Sequence, residues 1–220
     1  MICSIKNLPF FCSWSGGKDS CLAFYYAVQA GGKPCCLFTM LSEEGEHSKS
    51  HGLPLRILEQ QAASLGVPLV TGASSWEDYE RVFIGQLREF KAKGIEVGVF
   101  GDIDLEEHRK WQENACAAAE MRAYLPLWGK SRQRVVAELV DLGFQAVIVA
   151  VNEEKMDRRY LGRVLNKPLM SELAADGIDV AGENGEFHTI VTDGPLFRFP
   201  VDLKINGFKP VGLHCFLDLD

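Results

Sequence analysis

Residues 15–20 read Ser-Gly-Gly-Lys-Asp-Ser and constrain the fold more than any other feature of this chain. They follow an apolar run at residues 10–14 and precede a helical pattern at residues 21–27. A glycine-rich turn between a strand and a helix presents backbone N–H groups at the positive end of the helix dipole. The sequence therefore predicts an anion-binding loop within an α/β fold.

Each residue type in this loop is suited to binding phosphate. Gly16 and Gly17 permit backbone angles closed to other residues and allow a phosphate to approach closely. Lys18 supplies a compact positive charge, and Ser15 and Ser20 supply hydroxyl donors. The loop is not the G-x-x-x-x-G-K-[ST] motif, which would need glycine at residue 12 and Ser or Thr at residue 19. An ordinary glycine turn with an exposed lysine is the alternative.

The patterns along the chain predict two parts. Strand and helix signals alternate over the first ~125 residues, which predicts a doubly wound parallel sheet. A Pro-Leu-Trp-Gly break at residues 126–129 then marks a boundary. We expect residues 1–127 to form a nucleotide-binding domain and residues 128–220 to form a smaller α+β lobe for substrate binding and catalysis. A strand is predicted in that lobe at residues 146–151, and two or three further strands are predicted among residues 188–192, 197–205 and 211–217.

Composition narrows the class of protein. The net charge of −7 argues against broad binding to nucleic acid, which depends on clustered lysine and arginine. No apolar stretch approaches the ~20 residues that cross a bilayer, and no secretion signal is apparent, so we expect no membrane association. Seven cysteines without a Cys-x-x-Cys pair predict free thiols in the reducing cytoplasm. Cys35 and Cys36 are interpreted as buried thiols on a strand.

Two further loops are expected beside the phosphate loop, because ligands lie outside the carboxyl ends of strands in an open parallel sheet. One loop, residues 41–52, is long and polar, as a mobile lid or a substrate loop would be. The other carries Asp102 and Asp104 after the fourth predicted strand. These carboxylates could hold Mg²⁺ or position a ribose, or they could cap the following helix.

A second unusual string, residues 182–189, reads Gly-Glu-Asn-Gly-Glu-Phe-His-Thr directly before a predicted strand. Glu183 or Glu186 could bind an ammonium ion or remove its proton. His188 titrates in the range suited to proton transfer. The string could equally be an ordinary turn that enters a hairpin.

Taken together, the motifs resemble those of the diphthine–ammonia ligase family of PP-loop ATP pyrophosphatases over almost the whole chain. The resemblance rests on residues 15–20, Ser50-His51-Gly52, Gly101-Asp102-Ile103, the Pro-Leu-Trp-Gly break, Leu161-Gly162-Arg163, and residues 182–189 leading into Asp193-Gly194-Pro195. Many family members carry Gly-Glu-Gly-Gly-Glu where this chain has Asn184 in place of the middle glycine. The resemblance implies an adenine nucleotide α-hydrolase-like (HUP) fold.

The resemblance also implies a two-step reaction with ATP and Mg²⁺. ATP first adenylates a carboxylate and releases pyrophosphate, and ammonia then displaces AMP to form an amide. A carboxylate is a poor acceptor for ammonia, so the rate depends on stabilising charge at the α-phosphate and on positioning the ammonia. The implied partners are ammonium and a protein or small-molecule carboxylate, which in the named family is diphthine, a modified histidine of elongation factor 2.

Site residues follow from the same resemblance. The implied catalytic residues are Lys18, Asp19, Glu183, Glu186 and His188. Nucleotide binding is implied for Ser15, Gly16, Gly17, Lys18, Asp19, Ser20, Thr39, Met40, Gly101 and Asp102, with adenine beside Thr39 and Met40. Substrate binding is implied for His51, Asn184 and Gly185, and Mg²⁺ binding for Asp19 and Asp102.

Two other functions share the phosphate loop. A PP-loop enzyme acting on RNA, such as a tRNA thiolase or a lysidine-forming ligase, would also adenylate its substrate. Thiolases usually carry Cys-x-x-Cys pairs and RNA-modifying members usually carry a basic region, and this sequence has neither. A non-catalytic adenine-nucleotide sensor would bind without turnover, although Lys18, Asp19 and both serines argue against a decayed site. A homodimer is left open by the sequence.

Overall fold

The computed structural model describes residues 4–219, and its first half forms a parallel sheet. The strands are β1 (Pro9–Ser13), β2 (Lys33–Leu41), β3 (Leu69–Ala73), β4 (Val97–Val99) and β5 (Arg122–Tyr124), in the order β3-β2-β1-β4-β5. The helices between them are α1 (Lys18–Gln29), α2 (Leu55–Leu65), α3 (Tyr79–Ala92) and α4 (Glu106–Ala118). This alternation confirms the predicted doubly wound α/β fold.

The second half forms a four-stranded antiparallel sheet. It contains α5 (Arg132–Asp141), β6 (Gln145–Asn152), a 3₁₀ helix at Arg158–Tyr160, α6 (Lys167–Ala175), β7 (Phe187–Asp193), β8 (Ile205–Val211) and β9 (His214–Leu219). The strand order is β7-β6-β9-β8, so β8 is an edge strand. The two sheets lie on either side of the predicted boundary, whose position at residues 127 and 128 stays a prediction.

The apolar run of β1 buries side chains on both faces of the first sheet, because successive residues of a strand point in opposite directions. Phe10 belongs to a core that also contains Ile148 and Ile190 of the second sheet. Phe11 belongs to a core on the other face, where its ring centroid lies 5.1 Å from that of Phe90 and 5.9 Å from that of Phe100. The first core therefore joins the two sheets.

One predicted strand is wrong, and another includes a turn. Residues 197–205 contain a proline and are irregular up to Ile205, and backbone atoms of Arg198 and Phe199 bond to Ser64 of α2 instead of to a sheet. The predicted strand at residues 211–217 spans the turn between β8 and β9. Gly212 turns the chain there with a φ of +58°.

Two further predictions concern the state of the cysteines and helices that could span a membrane. The six cysteines of residues 4–219 are free thiols. Cys36 is buried on β2 as predicted, whereas Cys35 is half-buried, and Cys3 lies outside the described residues. Among residues 4–219, no helix is both long and apolar enough to cross a bilayer.

Candidate active site

Residues 15–20, hereafter the phosphate loop, contain the turn after β1 and the first turn of α1, and the second sheet holds them in place. Gly16 adopts a φ of +77°, and its carbonyl accepts hydrogen bonds from Gln61 Nε2 at 2.9 Å and from the backbone N–H of Val191 at 2.9 Å. Gln61 is fully buried and also bonds Trp14 and Val191. Because a buried amide with all its partners is rigid, the loop is fixed before any ligand binds.

Close contacts leave no room for a side chain at Gly17 or at Gly101, two of the glycines predicted to bind the nucleotide. A Cβ atom on Gly17 would lie 2.5 Å from Cε1 of His51, and one on Gly101 would lie 2.7 Å from the backbone carbon of Asp19. Gly101 therefore lets the end of β4 pack against the first turn of α1. Gly17 lets the loop that carries His51 pack against the phosphate loop.

Three ionisable side chains from the two predicted motifs meet beside the phosphate loop. The Lys18 ammonium lies 2.7 Å from Oδ2 of Asp19 and 3.4 Å from Oε1 of Glu183. Burial alone would lower the pKa of Lys18, but the two carboxylates outweigh it and raise that pKa. Burial raises the pKa of Asp19, and it raises that of Glu183 to about 7 against the opposing charge of Lys18. Lys18 is therefore a cation, and Glu183 changes its charge near neutral pH.

The other predicted glutamate points into its own turn. Glu186 is buried, and its carboxylate accepts hydrogen bonds from the backbone N–H and from Nδ2 of Asn184, both at 3.0 Å. Its role in the structure is to hold residues 182–186, hereafter the glutamate turn, in shape. Sequence alone could not separate Glu183 from Glu186, since both flank glycines in the same turn.

Asn184 links the glutamate turn to the first domain through Arg132, which sequence analysis did not select. Arg132 donates to Oδ1 of Asn184 at 2.8 Å, to Asp179 at 2.7 Å and to Asp104 at 2.7 Å. Asp104 thus binds an arginine, and its predicted alternatives of Mg²⁺ or ribose binding are not needed to explain its position. Asn184 also avoids the left-handed region of φ, so a side chain fits there without strain.

Replacing Asn184 with glycine, the residue of the family pattern, tests this link. We expect Asn184→Gly to lower the free energy of unfolding by about 1–2 kcal/mol, because two side-chain hydrogen bonds are lost and the unfolded chain gains freedom. Urea unfolding measures the change. Asn184→Ala is the matched variant that removes the same bonds with less backbone freedom, and wild-type stability in both would show that the contacts to Arg132 and Glu186 contribute nothing.

A cleft of about 500 Å³ opens from the phosphate loop along the carboxyl ends of β1, β2 and β4. Its lining includes the predicted residues Ser15, Asp19, Ser20, Thr39, Met40, His51, Asp102 and Glu183, together with the predicted Gly101. Thr39 is itself buried and donates a hydrogen bond to the carbonyl of Trp14 at 2.6 Å. The volume falls within the ~300–1,000 Å³ typical of small-molecule sites.

Aromatic side chains that the sequence analysis missed form one wall of this cleft. Trp76, Tyr79 and Trp111 line it, with the ring of Trp76 stacked on that of Tyr79 at 5.8 Å between centroids. Trp76 is 72 % exposed, and the Lys49 ammonium lies 4.6 Å from its ring centroid. Trp76 follows β3, so its place at the carboxyl edge of the sheet was the signal available in the sequence.

Asp19 and Asp102 fit a magnesium ion that shares phosphate ligands. Oδ1 of Asp19 is buried without a hydrogen-bond partner, and Asp102 is close enough to raise the pKa of Asp19. Asp102 is oriented by Gln112 and by Nδ1 of His108, which lies 3.0 Å away. Mg²⁺ prefers one or two carboxylates together with phosphate oxygens and water. Within residues 4–219, no group of three or more His, Cys, Asp or Glu side chains is arranged to hold a metal.

Three histidines form a row that begins at the phosphate loop. The ring centroids of His51 and His188 are 4.6 Å apart, and those of His188 and His214 are 6.3 Å apart. Nδ1 of His51 lies 3.2 Å from the carbonyl oxygen of Thr189, whose hydroxyl accepts a hydrogen bond from the backbone N–H of Lys18. Burial lowers the pKa of His51 well below its usual value and that of His188 to about 4. Both rings are therefore neutral at pH 7.

Comparisons with known proteins point to one family. Residues 10–123 match the model of the diphthamide synthase N-terminal domain, and residues 131–211 match that of the C-terminal domain. Diphthine--ammonia ligases from Bos taurus and Homo sapiens are 26% and 24% identical to this chain, with 93% of this chain and 89% of each relative covered. The ligase from Danio rerio is 24% identical over 92% of both chains.

A solved structure with a partly similar fold is also found. It is the U34-tRNA thiolase NcsA from Methanococcus maripaludis with its [4Fe-4S] cluster, at 13% identity and a TM-score of 0.41. The similarity covers 64% of this chain and 59% of that one.

Proposed function

The chain belongs to the diphthamide synthase family, and on that premise we propose that it is an ATP-dependent ligase that joins ammonia to the carboxylate of diphthine. Its matched relatives are named diphthine--ammonia ligase. The observation that carries the proposal is the approach of Lys18 and Glu183 to 3.4 Å. This pairing joins the phosphate loop, which suits ATP, to the glutamate turn, which suits ammonium.

In the first step, an oxygen of the acceptor carboxylate attacks the α-phosphorus of ATP, and the bond from that phosphorus to pyrophosphate breaks. We propose that the Lys18 ammonium, at the start of α1, stabilises the negative charge that grows on the phosphate oxygens. Since Lys18 is paired with two carboxylates in the free protein, we infer that its ammonium turns partly toward ATP when ATP binds.

In the second step, ammonia attacks the acyl carbon, the bond from that carbon to the AMP oxygen breaks, and the nitrogen loses a proton. Glu183 is our candidate for the base that takes this proton, because its partly buried carboxylate lies 3.4 Å from the Lys18 ammonium and burial raises its pKa to about 7. His188 and His51 are neutral, and their rings lie 4.6 Å apart next to the phosphate loop. We therefore propose that they contact ammonia or the acceptor. Glu186 and Gly185 then act by shaping the glutamate turn.

We further propose that ATP arrives with Mg²⁺, which Asp19 and Asp102 would hold. The bound ion would neutralise charge on the phosphate oxygens. Adenine is proposed to lie beside Thr39 and Met40, near the aromatic wall of the cleft.

The location and the partners of the protein are also part of the proposal. We propose a cytoplasmic location, which the free thiols support. Elongation factor 2 is proposed as the bearer of diphthine, and a homodimer stays a prediction.

The nucleotide products test the proposal. The protein is incubated with ATP, Mg²⁺ and ammonium, with and without elongation factor 2 that carries diphthine. We expect AMP and pyrophosphate only when the acceptor is present. If AMP and pyrophosphate form only with another carboxylate, the proposed reaction stands but its acceptor is that carboxylate. Formation of ADP and phosphate would contradict the proposed role of the phosphate loop.

A further inference from the structure

A second and smaller cavity lies between residues 42–54 and the antiparallel sheet. Its volume is about 230 Å³, and its walls are largely apolar. They include Leu53 from the loop, Val149 from β6 and Phe216 and Leu217 from β9, with Lys209 and Asp218 carrying the charges. Apart from His51, no residue to which the steps described above give a role lines this space.

His51 forms a wall of both this cavity and the nucleotide cleft. Its imidazole packs against the phosphate loop so closely that Gly17 has no room for a side chain. Gly52 is tight as well, because a Cβ there would lie 3.2 Å from the ring of Phe216. The small cavity is thus separated from the phosphate loop by a single side chain.

The size and lining of the cavity exclude ATP and ammonium as its ligands. A volume of about 230 Å³ is below the ~300–1,000 Å³ typical of drug-sized ligands, so it does not suit a nucleotide. Ammonium is strongly hydrated and would gain little from apolar walls. A group with one side chain's volume and an apolar stem fits better, and its polar end would face His51.

We propose that this cavity binds the side chain of the protein acceptor, with its carboxyl group directed past His51 to the phosphate loop. This inference rests on the proposed function, since it assigns the place of the acceptor in that reaction. Adenylation requires the carboxyl group to reach the α-phosphate, and His51 is the point where the cavity meets the phosphate loop.

The outer rim favours an acceptor carried by a protein over a free metabolite. Val211 lines the cavity, is 52 % exposed and lies on the edge strand β8. The apolar wall therefore continues from the cavity to the molecular surface. A free metabolite would leave this rim in water, whereas a side chain that projects from a protein brings its own backbone to cover it.

Narrowing the rim tests the assignment. Val211→Trp is compared with Phe208→Trp, because Phe208 is an exposed residue of the same strand that does not line the cavity. The measurements are the binding of elongation factor 2 that carries diphthine, its KM in AMP formation, and the Kd for ATP. Val211→Trp is expected to raise both the Kd and the KM for the acceptor by at least about tenfold, with the Kd for ATP unchanged. Phe208→Trp is expected to leave all three values unchanged.

Each outcome decides between the alternatives. Wild-type acceptor affinity in Val211→Trp would overturn the inference, as would an equal loss in Phe208→Trp or a weakened Kd for ATP. If the wild type binds the acceptor without forming AMP, the proposed function fails, yet a loss of binding confined to Val211→Trp still supports the cavity. Equal turnover of a free carboxylate by both variants would support the inference, because it would show that a free metabolite does not enter through the rim of this cavity. Lys209→Trp, at another exposed rim position, replaces Val211→Trp if that variant fails to fold.

Discussion

Lys18→Met is expected to reduce AMP formation by about 10³-fold. The Lys18 ammonium is buried beside the phosphate loop, where water cannot replace it as a partner for phosphate oxygens. Removing one preorganised charge or donor at a developing oxyanion typically costs about 10²–10³ in rate, and a full charge in a buried site lies at the upper end. Single-turnover measurement of pyrophosphate release with saturating acceptor gives the effect on the first step alone, because AMP leaves only in the second step.

Two variants accompany this measurement as controls. Lys33→Met removes an exposed lysine at the start of β2, outside the cleft, and should leave turnover unchanged. Lys18→Arg should not restore activity, because the guanidinium is a planar fork and the site between Asp19 and Glu183 holds a compact ammonium. Turnover within tenfold of the wild type in Lys18→Met would remove Lys18 from the reaction.

A loss of activity must be separated from a loss of structure. Lys18→Met leaves the partly buried carboxylates of Asp19 and Glu183 without their cation. Breaking a fully buried pair commonly costs about 3–5 kcal/mol, and their partial exposure makes the cost smaller here. These carboxylates can instead take up protons, which limits that cost. Thermal unfolding of each variant therefore belongs beside the rate. Lys18→Gln, which keeps an N–H donor, distinguishes the missing charge from the missing contact.

The phosphate loop could be predicted from sequence because its chemistry is local. The strand before it, the helix after it and the glycines between them all lie within residues 9–29. The alternation of later strands and helices also follows from local periodicity, as with α2, which ends at Gly66 in the left-handed conformation. Parallel pairing then brings Thr39, Gly101 and Asp102 to one edge of the sheet.

Contacts between distant segments could not be predicted in the same way. Arg132 meets Asn184 across 52 residues, and Gln61 bonds Val191 of β7 across 130 residues and Gly16 of the phosphate loop across 45. Neither has a local sequence pattern, since an arginine at a helix start and a glutamine within a helix are common on solvated surfaces. The hairpin of β8 and β9 was missed because apolar residues flank Gly212 on both sides and hide the turn.

Glu183→Gln is expected to lower ammonia-dependent amide formation by about 10²–10³-fold while leaving the Kd for ATP nearly unchanged. The expected size is that of a general base in other enzymes, about 10²–10⁴-fold. The assay follows amide product in the presence of preformed acyl-adenylate, so that the first step does not contribute. Glu186→Gln makes the same change in the same turn, but its carboxylate bonds Asn184, and we expect a smaller loss there.

The pH dependence separates the two glutamates more sharply than the rates do. Burial raises the pKa of Glu183 to about 7, so its basic form appears as pH rises from 6 to 8. With the free-ammonia concentration held constant, amide formation by the wild type and by Glu186→Gln should rise over that interval. The rate of Glu183→Gln should stay flat. A flat profile in Glu186→Gln with a rising one in Glu183→Gln would transfer the role of base to Glu186.

The same titration predicts a change in stability that does not depend on substrate. Because the folded-state pKa of Glu183 lies above its unfolded value of 4.5, the folded protein holds this proton more tightly. Its stabilising effect is present below pH 4.5 and is lost as pH rises through about 7. Between pH 5 and pH 8, the ligand-free wild type should therefore lose roughly 1–3 kcal/mol more unfolding free energy than Glu183→Gln. Equal losses in both proteins, measured by urea unfolding at the two pH values, would mean that Glu183 does not titrate near neutrality.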